Sequence, residues 1–286
     1  MNHMRKNKLA GIYYAGAPTL INNQIKKAFL SEKGPGDLPT KPNSKTHVKG
    51  AIVPLFSYDI SGPCAAWSYK QIAEEKMPDV FIIIGHSSQE SGIAMEPYET
   101  PYGIIRPDQA LAREIIKKGN IKHKEPIFDR DEFIESQLPF LQYIYDSNIE
   151  KIKILPILIS HDVELKKLAV DIKETLLETN KTATIIVPTN MTSYGANHSY
   201  IPFEKDAHKK VYELDQGALD LIQQNQPLDY LKYVDEKGMN TNNYLGITLL
   251  MLILKPRKSL LEQYYTTADL NNDTKNFISF ASLVFK

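Results

Sequence analysis

The run Val80-Phe-Ile-Ile-Ile84 has no polar face. Folded as a strand it must be covered on both sides, which is the situation of a strand inside an α/β sheet rather than at a solvated surface. Gly50-Ala-Ile-Val-Pro-Leu-Phe56, Ile152-Lys-Ile-Leu-Pro-Ile-Leu-Ile159 and Thr182-Ala-Thr-Ile-Ile-Val187 share its length and character. Between these runs the apolar spacing lengthens to three and four residues, predicting helices over Ser61–Glu75, Pro107–Lys118, Glu132–Tyr145 and Val163–Thr179. Leu165, Leu168, Ala169, Ile172 and Leu176 form the buried stripe of the last, with Asp162 expected as its cap. Alternating strand and helix implies an α/β fold: a single three-layer αβα domain with a mostly parallel or mixed central sheet.

The C-terminal third continues with helices over Glu204–Gln223, Asp229–Glu236 and Asn242–Leu254, then strand-like runs at Leu261–Thr266 and Asn276–Phe285. The turn-rich Asn271-Asn272-Asp273 between these two runs predicts an antiparallel pair added to the sheet. Lys33–Ser44, rich in Gly and Pro, comes too early to divide two domains and is expected to join a helix at Leu20–Leu30 to the first strand. The folded unit is expected over 9–286, with 1–8 as a flexible tail.

Composition removes several function classes. Thirty-four basic and 34 acidic side chains give a net charge of zero, without the basic excess that phosphate neutralisation demands, so no nucleic-acid partner is expected. The longest uncharged apolar stretch, Tyr244 to Leu254, is about half of the ~20 residues a membrane-spanning helix needs. With no apolar core behind the basic start, no signal peptide is expected and the protein is placed in the cytoplasm. The single cysteine, Cys64, leaves no disulfide framework, and any metal site would have to come from histidine and carboxylate.

The chemistry-bearing residues concentrate after the strands, where open α/β sheets place their sites. Tyr58 follows the first strand, His86 and Ser88 the second, and Asn190 and Ser193 the fourth. No two histidines stand at ligand spacing. His86 follows a buried strand directly, so a pocket role competes with a ring that merely fixes the turn. Glu135, in Asp131-Glu-Phe-Ile-Glu-Ser-Gln-Leu-Pro139, reads either as a pocket carboxylate or as part of a solvated helical face.

These segments resemble the Memo family, also called AmmeMemoRadiSam system protein B, whose fold is shared with LigB-type class III extradiol dioxygenases. Ala10-Gly-Ile-Tyr-Tyr14 is similar to the opening A-G-x-[WF]-Y signature. Gly50-Ala-Ile-Val-Pro54 with Tyr58 and Ser61-Gly-Pro-Cys-Ala-Ala66 resembles G-x-I-x-P-H-A-G-Y-x-Y-S-G-x-x-A-A. Tyr98-Glu-Thr-Pro101 and Ile134-Glu-Ser-Gln-Leu-Pro-Phe-Leu-Gln142 resemble Y-x-T-P-L-G and I-E-x-Q-L-P-F-L-Q. Tyr194-Gly195, Tyr200-Ile-Pro-Phe203 and Tyr264-Tyr-Thr-Thr267 follow in the family's order, so the resemblance covers nearly the whole chain.

The departures fall where the resemblance implies a metal centre of non-haem iron type. The histidine of P-H-A-G-Y is Leu55, the second histidine is Ser88, and the cysteine of I-C-G is Asn240. The Asp and His of S-S-D-x-[ST]-H-Y become Asn190 and Ser193, and the His of E-H-[ST]-I-E becomes Glu132. Leucine cannot bind a metal, and neutral amides and hydroxyls are weak ligands, so no cofactor and no iron or copper site is expected. The resemblance with these losses implies a non-catalytic protein that binds a partner protein or a small polar ligand in the former cleft. Tyr58, His86, Ser88, Glu135, Gln137, Asn190, Ser193 and Asn240 are expected to line that cleft. The alternative is metal-independent acid–base chemistry by His86 and Glu135. A homo- or hetero-oligomer is compatible with either.

Overall fold

A computed structural model describes residues 4–42, 44–256 and 258–286. In chain order the helices are α1 (Pro18–Leu30), α2 (Tyr58–Glu74), α3 (Gln109–Lys117), α4 (Leu138–Ile144), α5 (Leu165–Glu178), α6 (Ala207–Gln223), α7 (Pro227–Lys237), α8 (Tyr244–Ile253) and the short α9 (Ala268–Asn271). The strands are β1 (Gly50–Val53), β2 (Val80–His86), β3 (Gly92–Ile93), β4 (Tyr98–Thr100), β5 (Gly103–Pro107), β6 (Lys153–Ile159), β7 (Ala183–Pro188), β8 (Ser193–Tyr194), β9 (Ser259–Thr266) and β10 (Phe277–Phe285).

The sheet runs β4-β5-β6-β2-β7-β1-β10-β8, with β3 added to β6 and β9 to β10. From β5 to β1 the pairs are parallel, while β10 runs antiparallel to both β1 and β9, so the sheet is mixed. Alternation sorts its side chains. Ile82, Ile84, Leu155, Ile157, Ile185 and Leu283 pack against α3, α5, α6, α7 and α8. Phe81, Ile83, Ile154, Ile186 and Val284 face α1, α2 and α4. The result is the three-layer αβα arrangement that the apolar runs require. Among the described residues no helix is long and apolar enough to cross a membrane.

Three local expectations change. The helix expected over Glu132–Tyr145 starts later and tighter: a single 3-10 turn at Glu135–Gln137 leads directly into α4. Pro139 suits the first turn of a new helix, because the N–H it lacks would have no partner there. Asp162 does not cap α5, which starts after Glu164. Its carboxylate instead accepts from the Ser91 amide at 3.0 Å and the Ser91 hydroxyl at 2.5 Å. The tail is also corrected, for Arg5 is buried. Its amide donates to Pro97 and its carbonyl accepts from Glu99, each at 2.8 Å, adding a bridge beside Tyr98. The guanidinium lies 5.7 Å from the centre of the Tyr98 ring and 5.4 Å from that of Phe128. It pairs with Glu125 at 2.5 Å and Asp129 at 3.3 Å. A buried arginine needs such partners, since an unpaired one would be strongly destabilising. Met1–His3 lie outside the described residues.

On the α1/α2/α4 face, Phe140 is the hub of an aromatic cluster. Its ring stacks on Tyr69 at 4.7 Å and touches Tyr58 at 4.8 Å and Phe29 at 6.2 Å. Phe140→Ala should cost about 3–5 kcal/mol, a truncated aromatic leaving an unfilled cavity. Urea denaturation reads this directly, and a loss under about 1 kcal/mol would mean that the layer collapses around the gap.

Candidate functional site

Beyond Ile83↔Ile186 the hydrogen-bonded pairing of β2 and β7 stops, and the backbone carbonyls there need other donors. Asn243 supplies them. Its Nδ2 donates to Ile84 and Pro188, each at 2.9 Å, while its Oδ1 accepts the Gly246 amide as the N-cap of α8. The residues just before it bind the same edge. Asn242 Oδ1 accepts from the Asn190 amide at 2.9 Å and from the Thr189 hydroxyl at 3.0 Å, and the Thr241 hydroxyl donates to the Asn190 carbonyl at 2.8 Å.

Asn190 in turn clasps the residue after β1. Its Nδ2 donates to the Leu55 carbonyl at 2.8 Å and its Oδ1 accepts the Leu55 amide at 3.1 Å. Both residues are buried. Asn240 is held to Ser193 on both sides: its Nδ2 donates to the Ser193 carbonyl at 2.9 Å, and its own carbonyl accepts the Ser193 amide at 3.1 Å. Leu55, Asn190, Ser193 and Asn240 are thus brought together at the carboxyl edge, with the amides of Asn190 and Asn240 engaged by backbone.

Tyr58, Glu135 and Gln137 are engaged with other partners. The Tyr58 hydroxyl donates to the Ser136 carbonyl at 2.6 Å, within the α2/α4 layer. Gln137 is 2% exposed; its Oε1 accepts from Tyr69 at 2.9 Å and its Nε2 donates to the Ser136 hydroxyl at 2.7 Å. Glu135 anchors the N-terminal segment. Its Oε1 accepts from the Leu9 amide and the Tyr14 hydroxyl, each at 2.7 Å, and its Oε2 from the Lys8 amide at 3.0 Å. Burial pushes its pKa up, and these donors pull it back. Glu132, at the position of another family histidine, is exposed and accepts from the Tyr13 hydroxyl at 2.6 Å.

His86 and Ser88 close β2. His86 is half-buried with its ring edge-on to Phe133, centroids 6.5 Å apart, and Ser88 is exposed. The close approach of Phe133 requires Gly85, where a Cβ would sit 2.5 Å from the Phe133 Cβ. Burial, and then the charge of nearby His161, lowers the His86 pKa. His86 follows Ile82 and Ile84 in the strand alternation, whereas Leu9 and Tyr14, the partners of Glu135, belong to the opposite core. Among the described residues no hydrogen bond joins His86 to Glu135: the carboxylate is taken by the Lys8 and Leu9 amides and the Tyr14 hydroxyl, while the His86 ring meets Phe133.

One residue of this region escapes sequence reasoning. Asp215 on α6 is fully buried and accepts hydrogen bonds from Thr192 and Tyr264, each at 2.6 Å, and from Ser279. Thr192 belongs to the loop that carries Asn190 and Ser193, so this carboxylate braces the cleft from below. Burial raises its pKa to about 6 against an ordinary 3.8, more than the hydroxyls lower it. A carboxyl that holds its proton more tightly folded than unfolded makes the fold more stable as pH falls from about 6 towards 4. Relative to Asp215→Asn, the wild-type chain should gain up to about 3 kcal/mol over that window in denaturant titrations. A difference that stays flat with pH would refute the assignment.

A three-layer αβα domain whose polar residues gather at the carboxyl ends of parallel strands belongs to the large class of α/β proteins with a strand-edge site. Within that class, residues 5–284 match the Memo family, described as Memo-like protein. The chain belongs to the Memo family. A MEMO1 family protein of Sulfurisphaera tokodaii is 29% identical over 298 residues, covering 99% of both chains. One from Methanopyrus kandleri is 26% identical over 294 residues, again covering 99% of each. The crystal structure of an uncharacterised Escherichia coli K12 protein shares the fold at a TM-score of 0.50 and 13% identity, over 84% of this chain and all of that one.

The metal centre that the resemblance implies does not fit the side chains at its positions. Leu55 offers no donor atom, and the Asn190 and Asn240 amides are bound to backbone. Among the described residues no group of three or more His, Cys, Asp or Glu side chains is placed to hold a metal ion. Asn190→Asp, which restores the family residue, sharpens this. An ionised carboxylate would turn an oxygen towards the Leu55 carbonyl and leave that buried acceptor unsatisfied, costing about 1–3 kcal/mol. Thermal unfolding of Asn190→Asp should therefore come earlier than that of wild type, and an unchanged midpoint would show that the clasp is dispensable.

Proposed function

We propose that this Memo-family protein is non-catalytic and that its cleft binds a partner protein or a small polar ligand. The observation that carries the reading is the Asn190–Leu55 clasp. A position given by the resemblance to a metal ligand holds an aliphatic side chain, and the neighbouring acid has become an amide that ties down its backbone. His86, Ser88, Ser193 and Asn240 remain exposed or half-buried at this edge. They offer hydrogen-bonding groups to a ligand, and among the described residues no group of three or more His, Cys, Asp or Glu stands ready for a cation.

Elemental analysis of the purified full-length chain tests the reading. Iron, copper and zinc should together stay below about one-tenth of an equivalent, since a single imidazole flanked by amides and hydroxyls holds such ions weakly. A combined Leu55→His, Ser88→His, Asn240→Cys variant should take up more metal than wild type. One tightly held equivalent in the wild-type chain, lost on His86→Ala, would overturn the proposal.

A further inference from the structure

We propose that the cavity between α7 and the start of α8 binds a small amphiphilic amine, an apolar body carrying one ammonium group. The cavity measures about 740 Å³, within the range of small-molecule sites and too small for a folded element. Leu228, Leu231, Met239 and Leu245 supply its apolar wall. Leu228, at 53% exposure, is a large apolar side chain left in solvent at the rim. The polar end is a pair: the Tyr244 hydroxyl lies 3.2 Å from His161 Nε2. His161 comes two residues after Ile159, which is in register with His86, so the cavity opens at the carboxyl edge of β2 and β6.

Charge decides the ligand's sign. Asp235 lines the cavity and lies near enough to Tyr244 to help raise that phenol's pKa after burial. Lys232 also lines it, but pairs with Glu236 at 3.6 Å, and Lys237 sits over the Tyr233 ring at 5.9 Å. The carboxyl end of α7, closed by Gly238, adds its partial negative charge. The amino end of α8 borders the same space, yet its Gly246 amide is already capped by Asn243. An anionic head would meet Asp235, whereas an ammonium is stabilised by that carboxylate. The cavity adjoins the cleft, Met239 being next to Asn240 in the chain, but none of its lining residues is one of the cleft residues named above.

Calorimetric titration of the full-length chain with 2-phenylethylamine, 2-phenylethanol, 3-phenylpropionate and ethylamine tests this. The aromatic amine should bind saturably and about threefold or more tightly than the alcohol, the scale of one partly exposed charge pair. The carboxylate should bind more weakly than the alcohol, and ethylamine, lacking the apolar body, should give no signal. Asp235→Asn should remove the preference for amine over alcohol, while Leu228→Trp, at an exposed rim position, should weaken both. Absence of saturable amine binding, a carboxylate as tight as the amine, or an amine affinity untouched by both variants would each overturn the proposal.

Discussion

Where parallel strands end inside a protein, backbone carbonyls are left pointing into a space that water reaches poorly. Everything at the carboxyl edge of this sheet follows from how that debt of hydrogen bonds is met. Asn243 meets it for β2 and β7 with a single amide, and the same side chain starts α8. One residue thereby fixes the spread of two strands and the seating of the helix that covers them. The neighbouring Thr241 and Asn242 extend this to Thr189 and Asn190, and Asn190 extends it to Leu55 after β1. The edge is a continuous lattice of amides and hydroxyls in which each link orients the next.

That lattice gives physical content to the amide found at position 190. An aspartate at position 190 would need a cation, or protonation, to rest in such a buried position. An asparagine needs neither, because it presents a donor and an acceptor at once and can satisfy both halves of a peptide unit. Beneath the same loop, Asp215 shows the reverse solution, a carboxylate kept in the core by three hydroxyl donors. The two side chains support one loop from different sides by different means.

Legibility of the chain tracked the range of the forces involved. Val80–Ile84 and the stripe from Leu165 to Leu176 announce strand and helix because periodicity is a local property. The hairpin of β4 and β5 does not: Tyr98–Thr100 is too short to alternate, and the chain's order there comes from pairing with Arg5 and β6. Asp162 had all the marks of a cap, but Ser91, 71 residues away, supplied a better partner than its own helix. That Leu55 and Asn240 stand where the resemblance implies metal ligands could be read from the family pattern, whereas the clasp across 135 residues could not. Asp215 lies on the helical stripe of Val211, Leu214, Ala218, Leu219 and Ile222, so the period places it inward; what the sequence hides is the set of distant hydroxyls that receive it.

The pairing of β1 with β10 has a consequence for how the molecule is made. Gly50 lies in register with Phe285, and β10 is buried along its whole length between β1 and β9. While synthesis proceeds, β1 can find β7 but not its other neighbour, so the growing chain carries an open, wholly apolar sheet edge. Such an edge invites pairing with the wrong strand. β10 follows the other described strands in the chain, so the middle of the sheet is shut only once it has been made and has paired with β1.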